Sequence, residues 1–172
     1  MAKKFKIFII FLGCLLFRLL PLRAPNVEPI MASIMPIGRK YGALVAFSFG
    51  FVSMALYDLI TAKIGFWTWT TAFSYGIIGV VSTFYFKKFK TSGLNFAIFA
   101  FFATIFFDLV TGVLFAPMFG QTMAGALILQ IPFTILHLAG NIGFALTLSP
   151  IINRWILSEK FLSIQRRVRI AV

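Results

Sequence analysis

Apolar runs recur along this chain, and short basic clusters separate them. The clusters stand at Arg39–Lys40, at residues 87–90 and from Arg154 onward. A helix needs about 20 mostly apolar residues to cross the hydrocarbon core of a bilayer, and several of the runs reach that length. With 60% hydrophobic residues and a mean hydropathy of +0.99, the composition excludes a soluble domain and a disordered chain. The pattern predicts an all-α integral membrane protein.

The runs predict six helices in a single transmembrane domain, residues 1–172, that lies in the lipid bilayer. Pro36 breaks the short second run, residues 38–40 form a basic turn, residues 63–69 form a loop and Pro132 kinks the last helix. The basic tail, 152–172, is compatible with a surface helix. The helices are expected at about 7–20, 30–37, 41–61, 70–86, 94–115 and 122–149.

Small residues recur at helical spacing in the third and fourth predicted helices. Such faces allow a neighbouring helix to approach closely. One face carries Gly42, Ala46 and Gly50, and the other carries Ala72, Gly76, Gly79 and Thr83.

The distribution of basic residues predicts the orientation of the bundle. Six crossings put both termini on one side. If that side is the cytoplasm, it receives every lysine and arginine except Arg18, Arg23 and Lys63. Cytoplasmic loops carry an excess of these residues, so we expect cytoplasmic termini in the cell membrane. The basic residues fall in short clusters between apolar runs, a pattern that argues against nucleic-acid binding.

The segment FRLLPLRAPNVEP, residues 17–29, separates the first two predicted helices and contains three prolines. Each proline lacks an N–H and disfavours helix in the residue before it, so a continuous helix is excluded. We expect a semi-rigid loop over the outer mouth of the bundle. Its polar candidates for ligand contact are Arg23, Asn26 and Glu28, and the neighbouring outer loop adds Trp67 and Trp69.

Four polar residues of the sixth predicted helix share one face, at spacings i, i+4, i+7 and i+11. They are Gln130, Thr134, His137 and Asn141. Such residues hydrogen-bond between helices or line a cavity, and their alignment with an outward opening favours a lined cavity.

Two aspartates lie in similar pentapeptides, YDLIT at 57–61 and FDLVT at 107–111. Asp58 falls near a helix end, where an interfacial carboxylate in water and a functional role are both open. Asp108 is deeper and requires a partner or a cavity. Two roles remain open for Asp108. One is a structural pair with Arg18, Arg23 or His137, and the other is contact with a ligand.

Enzyme and cofactor chemistry find little support in the sequence. Nucleotide-binding motifs are absent, and no serine or cysteine nucleophile has a base beside it. One cysteine and one histidine exclude cysteine-type and histidine-cluster metal sites. We therefore expect neither an enzyme nor a resident cofactor.

A family resemblance is found in three stretches of the chain. They are RLLPLRAPNVEPI at 18–30, GFWTWTTAFSYGIIG at 65–79 and QIPFTILHLAGNIGFA at 130–145. The chain resembles uncharacterised substrate-binding (S) components of energy-coupling factor transporters. The resemblance implies capture of a micronutrient, usually a vitamin, at the outer face. It also implies partnership with a transmembrane scaffold and two ATPases, and a ligand near the outer ends of the later helices.

The first helix departs from that family, because it lacks the AxxxA face that many S components use to dock on the scaffold. Either docking uses another surface, such as the Gly42–Ala46 seam, or the partner differs. Two other functions stay open. One is an intramembrane enzyme that uses Asp58, Asp108 and His137, and the other is a non-catalytic membrane assembly partner.

Overall fold

The computed structural model describes residues 2–22 and 26–156, which form six α-helices and contain no β-strand. Three helical stretches, Ala43–Ile60, Gly93–Leu114 and Met123–Arg154, are long and apolar enough to cross a membrane. The all-helical prediction is therefore confirmed, and the three stretches are consistent with a membrane protein. The helices are α1 (Ala2–Leu19), α2 (Ile30–Tyr41), α3 (Ala43–Ile60), α4 (Phe66–Lys88), α5 (Gly93–Asp108) and α6 (Met123–Ile151).

Helix α2 lies at the centre of the bundle. Every residue from Ile30 to Gly38 is buried, and the helix contacts each of the other five. Its 12 residues span only about 18 Å, so it is too short to cross a bilayer alone, as predicted. The short second run is thus the core around which the longer helices pack.

The structure differs from the sequence prediction at Pro36, which does not end α2. The helix continues to Tyr41, and the turn falls at Gly42, whose φ of +92° suits glycine. Because Pro36 has no N–H, the carbonyl of Ala32 loses its helical donor. The hydroxyl of Ser149 on α6 donates to that carbonyl at 2.7 Å. A tertiary hydrogen bond therefore replaces the missing helical one.

The two small-residue faces pack against each other between the antiparallel helices α3 and α4. A Cβ at Gly50 would lie 2.7 Å from the carbonyl oxygen of Tyr75, and one at Gly79 would lie 2.6 Å from that of Ala46. The close approach was predicted correctly. Because α4 packs on Ala46 and Gly50, this part of the seam is not free to dock another subunit, whereas Gly42 lies at the turn before α3 with no atom within 4 Å of an added Cβ.

Helix α4 begins at Phe66, so Trp67 and Trp69 lie in its first turns and not in a loop. The hydroxyl of Thr68 accepts from the Gly65 N–H at 3.1 Å and donates to Asp58 Oδ2 at 2.6 Å. These bonds satisfy a backbone donor at the helix start and extend α4 beyond the predicted boundary.

The last helices also differ in detail from the prediction. The α-helix of α5 ends at Asp108, and a π-helical segment, Leu109–Leu114, continues it into a 3-10 turn, Ala116–Phe119. Helix α6 is one helix through Pro132, followed by a π-helical turn, Ile152–Ile156. The predicted surface helix lies outside the described residues from position 157 onward.

Candidate functional site: a buried polar cluster between α5 and α6

Asp108 on α5 and His137 on α6 form a buried pair. The imidazole Nδ1 lies 2.8 Å from Asp108 Oδ1, and each residue is only 3% exposed. A carboxylate in its ionised form only accepts hydrogen bonds, and in that form of the pair Nδ1 carries the hydrogen. Of the partners predicted for Asp108, His137 contacts it in the structure.

A second side-chain pair, Asn141 with Thr104, joins the same helices one turn away. The Asp108–His137 and Asn141–Thr104 pairs are called the two rungs below. The Asn141 side-chain NH₂ donates to Thr104 Oγ1 at 2.9 Å, and the Thr104 hydroxyl donates to the Ala100 carbonyl at 2.7 Å. Because the single Thr104 hydrogen is used on Ala100, the amide nitrogen of Asn141 is the atom that faces Thr104. The two rungs are four residues apart on each helix, a rise of about 6 Å.

Each rung leaves one acceptor unused. Within the described residues, Asp108 Oδ2 and Asn141 Oδ1 are buried and have no hydrogen-bond partner. An unsatisfied buried polar group costs about 1–3 kcal/mol, and more when it is charged. Asp108 also stands where α5 changes into its π-helical segment, and π-helical turns are frequent at functional sites. The rungs are therefore the part of the bundle that is open to further hydrogen bonding.

Glu28 ties the proline-containing loop to α1 and α4. Its Oε2 lies 3.0 Å from Arg18 Nε, and its Oε1 accepts from the Tyr75 hydroxyl at 2.5 Å. Arg18 is held further by the Tyr57 ring, 3.9 Å from the guanidinium, and by Met54 Sδ at 2.8 Å. The Glu28 carboxylate is thus engaged within the chain on both oxygens.

Aromatic rings connect the loop to the two rungs. The Tyr75 ring lies 4.8 Å from that of Phe107, and the Phe107 ring lies 5.4 Å from the His137 imidazole. Val27 packs on Gly140, where an added Cβ would stand 3.1 Å from Val27 Cγ2. Val27 therefore packs on α6 beside the two rungs, and the Phe107 ring links the Tyr75–Glu28 contact to them; these polar groups are called the buried cluster below.

The rest of the predicted polar stripe lies on the same, less exposed face of α6. Gln130 and Thr134 are half-buried, whereas His137 and Asn141 are buried. Gln130 packs on Gly112 in the π-helical segment. The helical spacing thus located the inward face correctly, and two of its four residues form the rungs.

The structure does not bring every predicted ligand residue into this cluster. Trp67 and Trp69 are 49% and 51% exposed, and they contact the Lys63 carbonyl and the Phe51 ring respectively. Asn26 is half-buried with a φ of +60°, a left-handed conformation that asparagine tolerates better than most residues. Arg23 lies outside the described residues.

Three residues of the cluster were not predicted to form these contacts. Thr104 stands one turn before Asp108, so helical spacing could have placed it on the same face. Arg18 was weighed as a partner for Asp108 and not for Glu28. The Tyr75 hydroxyl, which donates to Glu28, was not predicted as a partner of that carboxylate.

Comparisons of the chain with protein-family models, with curated proteins and with solved structures found no match. The site is therefore interpreted from its own chemistry. The described residues contain no group of three or more His, Cys, Asp or Glu side chains that could hold a metal ion. Cys14, the only cysteine of the chain, contacts Ser33 Oγ at 3.2 Å. What the cluster offers is hydrogen-bond acceptors in an apolar environment, which suits binding of a small polar molecule.

Proposed function

We propose that this chain is a membrane-embedded solute-capture subunit that binds a vitamin-like micronutrient at its outer face for ATP-driven uptake. The observation that carries the proposal is the pair of unpartnered buried acceptors, Asp108 Oδ2 and Asn141 Oδ1, beneath the loop that holds Glu28. Polar residues that serve only helix association tend to satisfy one another. Acceptors that remain available suit a ligand that supplies donors.

The proposed topology has six crossings in the cell membrane and cytoplasmic termini. Antiparallel contacts support successive crossings, with Gly50 on Tyr75 in one helix pair and Asp108 on His137 in the next. Helix α4 has 23 residues and a length of about 34 Å, enough for a bilayer core. The positive-inside rule then places the loop above the rungs on the outer side.

The proposed partners are a transmembrane scaffold and two ATPases of an energy-coupling module. The resemblance to S components supports this part, and so does the absence of a phosphate-cradling motif in the sequence. Since α4 occupies the seam on α3 at Ala46 and Gly50, docking requires a different surface. Gly13 on α1 and Gly143 on α6 are exposed and have no atom within 4 Å of an added Cβ, so both helices offer an uncovered surface, although α1 lacks the AxxxA face.

One observation favours a second function, that of a non-catalytic assembly partner. Both oxygens of Glu28 are engaged by Arg18 and Tyr75, as a purely structural carboxylate would be. Under this alternative the rungs would also be structural, and the purified chain would bind no solute.

Vesicle experiments separate these functions. The purified chain alone should bind solute without ATP, hydrolyse no ATP and drive no uptake. Addition of the scaffold and ATPases should produce ATP-dependent uptake. Robust active uptake by the chain alone, without ATP or an ion gradient, would contradict dependence on a module. Turnover of the solute by the isolated chain would instead indicate an enzyme.

A further inference from the structure

The unused groups of the buried cluster specify the chemistry of the solute. We infer that the buried end of the solute is a nitrogen-bearing hydrogen-bond donor of cationic character, such as an amidinium, an ammonium or a protonated aminoheterocycle. This inference rests on the proposed capture function and narrows it to one class of solute.

Three donor side chains of the cluster each make a hydrogen bond within the chain. Tyr75 donates to Glu28, the Asn141 NH₂ donates to Thr104, and His137 Nδ1 is paired with Asp108. The acceptor atoms left over are Asp108 Oδ2 and Asn141 Oδ1. A carboxylate or phosphate group of a solute would face these oxygens without a donor between them, whereas an N–H group would pair with them.

The charges of the cluster also favour a cationic donor. Glu28 is balanced by Arg18 at 3.0 Å. Asp108 has an imidazole N–H on one oxygen and nothing on the other, in a site that is 3% exposed. Hydrogen bonds between ionised groups are about twice as strong as neutral ones, so a cationic donor gains most from Oδ2.

The two acceptors lie on neighbouring rungs of the same two helices. The rungs of Asp108 and Asn141 are one helical turn apart, a rise of about 6 Å. Val27 packs over α6 at Gly140, next to Asn141.

Matched aromatic probes test the inference on the full-length chain in lipid nanodiscs. Benzamidine and benzoate share a phenyl ring and carry opposite charges at neutral pH. Titration by saturation-transfer NMR should give a dissociation constant at least about tenfold lower for benzamidine, equivalent to about 1.4 kcal/mol. Asp108→Asn retains an acceptor for His137 and replaces Oδ2 by a donor, so it should abolish the preference. Asp58→Asn is the control in the matching pentapeptide and should retain it.

Three outcomes would overturn the inference: equal or tighter binding of benzoate, binding of neither probe, or an unchanged preference in folded Asp108→Asn. If Asp108→Asn fails to fold, the ratio of the benzamidine and benzoate dissociation constants of the wild-type chain still tests the inference. The proposed function is judged separately, by whether the purified chain carries a solute. An anionic solute bound to the chain would end the inference and leave solute capture standing.

Discussion

Glu28 fixes the loop between α1 and α2, and its substitution should lower the stability of the ligand-free protein. Glu28→Gln keeps an acceptor for Tyr75 but leaves the buried Arg18 guanidinium without its counter-charge. Loss of one partner from a buried ion pair costs up to about 3–5 kcal/mol. We expect a clearly lower melting temperature of the ligand-free protein in detergent. Asp58→Asn, which alters a half-buried carboxylate that binds only a hydroxyl in the described structure, should lower it less. An unchanged melting temperature for Glu28→Gln would contradict the buried pair.

Substitutions of His137 and Asn141, the two α6 residues of the rungs, should differ from Glu28→Gln and from each other in their effects on stability. Asn141→Ala leaves the Thr104 hydroxyl bonded to Ala100, so stability should change little. Solute affinity should fall several-fold, because a lost hydrogen bond is worth about 0.5–1.5 kcal/mol. His137→Ala should lower affinity and also stability, since Asp108 loses its partner. Affinity and ligand-free melting temperature measured together separate the effects. Normal affinity in both variants would end the binding-site hypothesis.

At the scale of the helix, α2 depends on a hydrogen bond from another element. Ser149→Ala should leave the Ala32 carbonyl buried without the donor that Pro36 also fails to supply. The expected cost is about 1–3 kcal/mol in the free energy of unfolding. Thr147→Ala is the matched control on the same helix, because Thr147 is exposed and bonds only within α6, to Gly143. Equal effects of the two substitutions on denaturant unfolding would contradict this role for Ser149.

The same helix shows where reasoning from sequence succeeds and where it stops. The apolar runs and the small faces predicted the helices and the α3–α4 contact, because both depend on periodicity within a segment. The continuation of α2 through Pro36 depends on Ser149, 117 residues away along the chain. The bond between Glu28 and Tyr75 joins residues 47 apart. The helical period gave the inward face of α6, but not which oxygens on it remain unpaired.

For the whole molecule, the proposed orientation predicts which positions are reachable from outside the cell. Single cysteines on a Cys14-free background should label from outside at Asn26 and Lys63. Cysteines at the N-terminus, Lys40, Lys88 and Arg167 should label only after permeabilisation. The reason is the concentration of lysine and arginine in the segments assigned to the cytoplasm. Labelling at position 88 but not at 63 in intact cells would reverse the orientation.

The most direct test of solute capture is mass spectrometry of the small molecules released when the purified, full-length chain is denatured. Solute capture predicts the release of one polar, nitrogen-containing molecule at near-stoichiometric amount, and a greatly reduced amount from Asn141→Ala preparations purified in parallel. The molecule should rebind to the wild-type chain without ATP. A chain that releases only lipid, and that binds no micronutrient from a vitamin panel, would contradict solute capture.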